Sequence, residues 1–303
     1  MRALLHYLII VPFAYLIASM PFFILRRLSE FMYFILYYVT GYRKKVVREN
    51  LKNAFPEKTE EERHKIEKKF YLHLTDIMLE TLKMLTMNLK DARKHIQVPK
   101  ESVDLIKKFN DNHISTIFAL GHYGCWEWGN FGYHAAIDYE INGIYHPLSD
   151  PYFEKLMYHM RTRFGSIPVK MKDTLKYMLQ HKDRVANSAF IADQSPSPHG
   201  AHWTIFLNQE TAFFTGIDKI ARKMNRPVLF VSIDKIKRNQ YEMNFQVLVE
   251  NPKETKPGQI TEAYVRALEK RIREKPGYWL WSHRRWKHKR PENEKLYNAE
   301  RIS

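Results

Sequence analysis

His122 and Glu127, five positions apart, are the residues whose type and spacing best fit a catalytic pair. They follow an apolar run, 114–120, that breaks at Gly121. On one regular helix, residues five apart point about 140° from each other, so the two side chains would not meet. They can meet if the histidine lies in the turn after a strand and the glutamate in the first turn of the next helix. A carboxylate that orients an imidazole makes it a general base. The alternative interpretation is a histidine and a glutamate on a hydrated loop.

Two further segments carry residues that could bind a substrate. Arg161 and Arg163 end a predicted helix, where they could hold a phosphate through paired guanidinium contacts or simply compensate the helix dipole. Asp193 ends a buried strand and enters a Ser/Pro loop. It is either a turn former or a residue that faces a pocket at the strand ends.

Two aromatic segments leave alternatives open. Residues 202–216 are apolar but interrupted by polar side chains, which favours plain core and leaves a groove for a lipid chain as the second interpretation. Residues 278–291 interleave aromatic and basic side chains. That mixture fits stacking on nucleic acid and fits a membrane interface equally well.

Cysteine and metal chemistry are disfavoured. Cys125 is the only cysteine, which excludes an internal disulfide and a multi-cysteine zinc site. Its closeness to His122 makes a Cys–His acyl-enzyme conceivable, although a helix-buried cysteine is the commoner case. His199 and His202 form an H-x-x-H pair without a matching ligand pair nearby. We therefore expect no metal and no cofactor.

The charge of the chain indicates an anionic partner. It has 49 Lys and Arg residues against 33 Asp and Glu residues, a net charge of +16. Nucleic acid, anionic lipid and an acidic protein all fit such an excess.

The N-terminus predicts a membrane segment. Residues 3–25 carry no formal charge and are followed by Arg26 and Arg27, and about 20 apolar helical residues suffice to cross a bilayer core. We predict a membrane-anchoring helix over 1–27, an interfacial aromatic and basic segment over 28–58, and a catalytic domain over 59–303 on the cytoplasmic side. The alternative is a buried, kinked helical hairpin in a soluble protein.

The rest of the chain predicts an α/β fold. Thr59 and Glu62 form a capping box before an amphipathic helix over about 60–89. Strands and helices then alternate, which predicts a mixed, mostly parallel sheet flanked by helices. The strand predictions are 114–120, 140–145, 167–169, 185–192, 227–234 and 241–250. The helix predictions are 126–136, 151–164, 172–181, 216–224 and 260–274.

Five blocks in chain order carry a family resemblance. They read GHYGCWEWG, HPLSDPYFEKLMYHMRTRFG, FIADQSPSPHGAHWTIFLNQETAFFTG, RPVLFVSI and YWLWSHRRWKHKRP. Together they resemble the bacterial lipid A late acyltransferases, the lauroyl/myristoyl acyltransferases of the lysophospholipid acyltransferase superfamily. The resemblance runs from the N-terminal helix to about Pro291 and implies a glycerolipid acyltransferase-like fold.

The resemblance also implies an activity and roles. Such an enzyme moves a fatty acyl chain from acyl carrier protein to a hydroxyl of a phosphorylated lipid A precursor, at the cytoplasmic face of a bacterial inner membrane. His122 would be the base and Glu127 its orienting partner. Arg163, or Arg161, would belong to a phosphate site, and Asp193 would be a third-block site residue. Backbone N–H groups within 121–125 could stabilise the oxyanion.

Some alternatives remain within that resemblance. The acyl pocket could be set by the aromatic residues Trp126, Phe131, Phe206 and Phe213. The third block departs from the acidic-Gly-Thr-Arg form of glycerolipid enzymes, which disfavours a glycerophosphate acceptor. A glycerophospholipid or aminolipid acyltransferase that uses acyl-CoA or acyl carrier protein is the alternative enzyme. A membrane-tethered nucleic-acid-binding protein would give His122 and Glu127 no role, so we expect no nucleic-acid partner.

Overall fold

The structure is a computed structural model and describes residues 6–298. Its α-helices are α1 (Val11–Ser19), α2 (Phe22–Phe34), α3 (Lys44–Ala54), α4 (Glu60–Lys83), α5 (Leu89–His95), α6 (Lys100–Asn110), α7 (Gly129–Ala136), α8 (Pro151–Thr162), α9 (Thr174–Gln180), α10 (Gly216–Met224) and α11 (Gln259–Glu274). Its strands are β1 (Ile96–Gln97), β2 (Ile117–Leu120), β3 (Glu140–Tyr145), β4 (Ile167–Lys170), β5 (Ala186–Ile191), β6 (His202–Phe206), β7 (Gln209–Phe213), β8 (Val228–Lys237), β9 (Gln240–Val249) and β10 (Leu296–Tyr297).

Seven strands form the main sheet, in the order β1-β9-β8-β2-β5-β3-β4. From β8 to β4 every neighbouring pair is parallel, whereas β9 is antiparallel to β8. Chain connections lead through α7 and α8 in one direction across the sheet and through α9 and α10 in the other. Because parallel crossovers are right-handed, the two helix pairs cover opposite faces. The predicted mixed, mostly parallel sheet flanked by helices is confirmed.

A second, smaller sheet contains β10, β6 and β7. The two residues between β6 and β7, Leu207 and Asn208, both have positive φ, as a two-residue hairpin turn requires. Every residue of β6 is buried. Residues 202–213 therefore form core structure, which was the favoured interpretation of 202–216, whereas Phe214 and Gly216 at the end of that segment line a cavity.

Residues 6–27 do not form one continuous helix, as the anchoring helix predicted over 1–27 would require; residues 1–5 of that prediction lie outside the described part of the chain. Helix α1 ends at Ser19, Met20 is extended, and α2 starts after Pro21. Proline lacks an N–H and biases the residue before it away from helical geometry, which explains the break. Among the helices described between residues 6 and 298, none combines the length and apolar character needed to cross a bilayer. The predicted boundary at residue 27 falls inside α2.

Helix α4 begins with the predicted capping box. The Thr59 hydroxyl accepts from the Glu62 N–H at 3.2 Å, and the Glu62 carboxylate accepts from the Thr59 N–H at 2.7 Å. The helix ends at Lys83, earlier than predicted, because Asn88 caps a separate helix by accepting from the Asp91 N–H. Helix α4 packs against α1 and α2 on one side and against the main domain on the other.

Buried charges join the N-terminal helices to the β8–β9 hairpin. Asp76 on α4 pairs with Lys235 at 2.8 Å and with Arg238 at 2.7 Å, and it accepts from the Ser29 hydroxyl at 2.6 Å. Burial would raise the pKa of the Asp76 carboxyl. The charge of Lys235 and the hydrogen bonds from Arg238 outweigh that effect and hold the pKa below its usual range. Removing one member would leave the others buried and uncompensated.

We predict that Asp76→Ala lowers the free energy of unfolding by about 3–5 kcal/mol, because Lys235 would stay buried without its counter-charge. Urea unfolding at neutral pH measures the loss. Since the folded-state pKa of Asp76 lies below its unfolded value of about 3.9, the contribution is present above that value and is lost as the pH falls through the folded-state pKa.

Glu61→Ala is the matched control, because it removes an exposed ion pair with Lys65 on the same helix. It should leave the urea midpoint unchanged. Equal midpoints for the two variants would contradict the structural role of Asp76.

Candidate active site

The site lies where β2 and β5 end side by side in the main sheet. Leu120 at the end of β2 is in register with Ile191 at the end of β5. Two residues after each strand end come His122 and Asp193, at the carboxyl edge where working residues of α/β sheets collect. The two side chains meet although they are 71 residues apart in the chain.

The Asp193 carboxylate holds His122 at two points. One oxygen lies 2.6 Å from His122 Nδ1, and the other accepts from the His122 backbone N–H at 2.7 Å. That second oxygen also accepts from the Trp279 indole N–H at 2.8 Å. Burial would raise the pKa of Asp193, but the electrostatic interaction with the His122 ring and these hydrogen bonds outweigh it and lower the pKa. The carboxylate is therefore ionised at neutral pH and fixes the orientation of the imidazole.

The other ring nitrogen of His122 faces the pocket. Its Nε2 lies 3.2 Å from Nε2 of Gln194, an amide nitrogen that can only donate. We assign the proton to Nδ1, where it points at Asp193, and this leaves the Nε2 lone pair as an acceptor. Trp126 contacts the ring edge-to-face at 5.0 Å between centroids. The arrangement presents a proton acceptor to whatever occupies the pocket.

Glu127 is held by Arg161 rather than by His122. Arg161 donates to the Glu127 carboxylate twice, from Nε at 3.0 Å and from Nη2 at 2.6 Å. Glu127 lies in the short 3₁₀ helix Trp126–Trp128, which leads into α7 and turns its side chain towards the end of α8. Among the described residues, the carboxylate that binds His122 is Asp193. The predicted His122–Glu127 contact is replaced by two separate pairs.

The two predicted arginines have different places. Arg161 lines the pocket together with Glu127. Burial would lower the pKa of Arg161, but the Glu127 carboxylate raises it on balance, so the guanidinium is charged. Arg163 instead donates to the main-chain carbonyls of Met84 and Met87 beyond the end of α4. Of the two arginines, Arg161 is therefore the one that lines the pocket.

An apolar cavity of about 840 Å³ opens beside His122. Of the four predicted acyl-pocket residues, Trp126 lines it. Phe131 packs on Phe164, and Phe206 packs on Phe213 and Trp279, all as core contacts. Aromatic size alone did not reveal which rings face the cavity, because the core of this protein is also rich in aromatic residues.

Cys125 and the predicted histidine pair lie outside this arrangement. Cys125 is buried, and burial together with the nearby Glu80 carboxylate raises the pKa of its thiol well above normal. A protonated, inaccessible thiol is a poor nucleophile. His202 is buried and binds Glu262 at 3.0 Å. In the part of the chain that the structure describes, no three His, Cys, Asp or Glu residues cluster as metal ligands would.

The aromatic and basic C-terminal segment contributes to both the site and the surface: Trp279 and Trp281 are buried, whereas Arg284, Lys287 and Lys289 are exposed. Trp279 and Arg285 are 3% and 2% exposed. The main chain of Tyr278 accepts from the Gly124 N–H at 3.0 Å, and the Leu280 N–H donates to the His122 carbonyl at 3.2 Å. The segment therefore fastens the loop that carries His122. Sequence reasoning missed Trp279 and Gln194, although the adjacency of Gln194 to Asp193 was an available signal.

The fold and the site are those of an α/β protein in which a carboxylate-bound imidazole lies at the mouth of an apolar cavity, an arrangement suited to acyl transfer. A scan against protein-family models matches residues 1–288 to the family described as bacterial lipid A biosynthesis acyltransferase. The protein belongs to this family and is an acyltransferase, which confirms the resemblance. A search of curated protein sequences finds no match. The family implies an acyl donor and a lipid A acceptor.

We predict that Asp193→Asn lowers kcat by about 10²–10⁴-fold, the usual range of general-base assistance, because an amide neither orients nor stabilises the imidazolium as a carboxylate does. Glu127→Gln leaves the His122–Asp193 contact in place and should lower kcat far less. Steady-state kinetics on both variants, with thermal unfolding to verify the fold, separate the two carboxylates. Full turnover in Asp193→Asn would assign the orienting role elsewhere.

Proposed function

We propose that the protein transfers a fatty acyl chain from acyl carrier protein to a hydroxyl of a phosphorylated lipid A precursor, with His122 as general base. One observation carries the proposal. His122 Nε2 faces an apolar cavity while Nδ1 is held by the buried Asp193 carboxylate. The family match supports the reaction class, and the cavity supports a lipid substrate.

The proposed chemistry is one direct transfer. The acceptor hydroxyl takes the place of the Gln194 amide at His122 Nε2 and loses its proton to that nitrogen. The hydroxyl oxygen attacks the thioester carbonyl carbon, and the carbonyl oxygen becomes an oxyanion. Collapse breaks the carbon–sulfur bond, and the imidazolium returns the proton to the thiolate. Asp193 stabilises the imidazolium throughout.

Three of the backbone N–H groups expected to bind the oxyanion, those of His122, Tyr123 and Gly124, already have acceptors in the structure. The His122 N–H donates to the Asp193 carboxylate. The N–H groups of Tyr123 and Gly124 donate to the main-chain carbonyls of Gly121 and Tyr278, respectively. Gln194 has an amide N–H beside the reacting nitrogen and lines the cavity. This position supports a role for the Gln194 amide N–H in binding the oxyanion after the acceptor hydroxyl has displaced the amide from His122.

The Glu127–Arg161 pair supports a phosphorylated acceptor. A guanidinium has five N–H donors, and Glu127 uses two of them, so donors remain for a phosphate oxygen. The pair lines the same cavity as His122. In this proposal Glu127 holds the Arg161 guanidinium in position for an acceptor phosphate, and Arg163 has no part in binding.

The donor and the location follow from charge and surface. A net charge of +16 favours an acidic carrier protein and an anionic lipid leaflet. Most of the exposed large apolar side chains in residues 6–298 lie between Tyr7 and Tyr42. Such a patch is typical of a membrane-facing surface. We propose that α1, α2 and the π-helical segment Ile35–Val39 lie in the surface of the inner membrane, with the site on its cytoplasmic face.

The reaction is tested by offering the purified enzyme acyl carrier protein or CoA thioesters with either a lipid A precursor or a lysophospholipid. We predict that mass spectrometry finds one added acyl chain on the lipid A precursor, and that His122→Ala abolishes the product without changing the thermal midpoint. Raising the salt concentration should raise KM for the carrier-protein donor. Transfer to the lysophospholipid alone, or near wild-type turnover of His122→Ala, would refute the proposal.

Membrane binding is tested by vesicle flotation. Phe13 and Leu16 lie one helical turn apart on α1, and both are exposed. We predict that the double variant Phe13→Glu/Leu16→Glu floats with anionic vesicles much less than wild type, because a charge in the apolar interface is unfavourable. Leu179→Glu, an exposed position on helix α9 outside the N-terminal segment, is the control and should float normally. Equal flotation of both variants would contradict the proposed surface.

A further inference from the structure

The cavity beside His122 is lined by residues from both faces of the main sheet. Phe118 on β2 contacts Tyr133 of α7, so that face is the one under α7. Neighbours in register share a face, which places Ala189 on β5 and Gly143 on β3 on the α7 side as well. Phe190, which also lines the cavity, points to the opposite face. The cavity therefore wraps around the carboxyl edge of the sheet.

The arm of the cavity under α7 is the deeper of the two. There β2, β5 and β3 each contribute two or more lining residues, and the lining reaches back along β3 to Ile141. On the other face β5 and β3 contribute only Phe190 and Ile144, next to the strand ends. An extended acyl chain whose carbonyl lies at His122 has the room to run under α7.

Two small residues form a dip in the wall of this arm. Gly143 and Ala189 are direct partners across β3 and β5, and Phe118 is the partner of Ala189 on β2. A Cβ atom built on Gly143 would meet no heavy atom within 4 Å. Gly143 does not have a positive φ, so the backbone does not require glycine there. The effect of glycine at position 143 is therefore to leave space in the cavity, because the backbone conformation there would accept other residues.

We propose that Gly143, beside Ala189, sets the length of the acyl chain that the enzyme transfers. The row of Phe118, Ala189 and Gly143 lies four residues before His122 along the chain, a depth of at most about 13 Å at the 3.3 Å per residue of an extended strand. That depth matches the distal part of a medium-length acyl chain whose carbonyl is at the imidazole. The inference rests on the proposed acyl transfer and assigns its donor specificity to a residue without chemistry of its own.

The test is a competition between donors. Full-length enzyme receives equal amounts of decanoyl, dodecanoyl, tetradecanoyl and hexadecanoyl acyl carrier protein with one lipid A precursor, and mass spectrometry reads the products. For Gly143→Leu we expect the ratio of the longest to the shortest product to fall at least about tenfold, because filled pocket volume discriminates on this scale. Gly143→Ala should give a smaller shift in the same direction.

Gly216, at the start of α10, is the matched control. It also lines the cavity, and a Cβ atom there would likewise meet nothing within 4 Å, but it lies on the opposite face of the sheet. Gly216→Leu should keep the wild-type order of donors. A shift to shorter chains in Gly216→Leu with no shift in Gly143→Leu would place the acyl chain in the other arm and overturn the inference.

The outcomes also separate the inference from the function on which it rests. If the wild type acylates the precursor but Gly143→Leu keeps its donor order, the inference is wrong and the acyl transfer stands. If the wild type transfers no chain to any lipid A precursor, both are wrong. Should Gly143→Leu fail to fold by thermal unfolding, Gly143→Ala and Ala189→Val give the same reading, and an unchanged order in both overturns the inference.

Discussion

The contact between His122 and Asp193 depends on the neighbouring positions of two parallel strands. Because β2 and β5 are paired in register, the residues just beyond their ends are brought side by side, and the ring nitrogen and the carboxylate lie 2.6 Å apart. The carboxylate accepts two further hydrogen bonds, from the His122 main chain and from Trp279. A buried charge is stable only with such partners, so the same contacts that keep Asp193 ionised also fix the imidazole.

The loop after His122 is held from several sides. Gly124 has a φ of +63°, and a Cβ atom there would lie 1.8 Å from the Ile233 carbonyl oxygen, so only glycine fits between the loop and β8. Its carbonyl lies 3.3 Å from His73 Nε2 on α4. Lys235 then links His73 to the buried Asp76 cluster. The charges that attach the N-terminal helices to the domain therefore also support the loop that carries His122.

Much of the fold was predictable because its strands are short apolar runs between helices. The predicted segments 140–145 and 216–224 coincide with β3 and α10. The break in the N-terminal apolar stretch was not predicted, because a count of uncharged residues takes no account of the way Pro21 interrupts a helix. The hairpin of β6 and β7 was also not predicted, because polar residues interrupt its apolar pattern even though β6 is buried throughout.

The sequence allowed most of the individual site residues to be predicted, but not the contacts between them. His122, Asp193, Arg161 and Trp126 were all singled out, but the histidine was paired with the carboxylate nearest in sequence. Asp193 lies 71 residues after His122, and Trp279 lies another 86 residues after Asp193. Their contacts follow from the arrangement of the strands in the sheet, which local sequence spacing does not reveal. The catalytic roles of these residues stay predictions that kinetics must test.

The most direct measurement is the nitrogen chemical shift of the neutral His122 ring by two-dimensional NMR. The account predicts a proton on Nδ1, strongly shifted downfield by the Asp193 carboxylate, and an unprotonated Nε2 that faces the cavity. Asp193→Asn should remove the downfield proton signal, whereas Glu127→Gln should leave it. A proton found on Nε2, or a signal that responds to Glu127 and not to Asp193, would contradict the account.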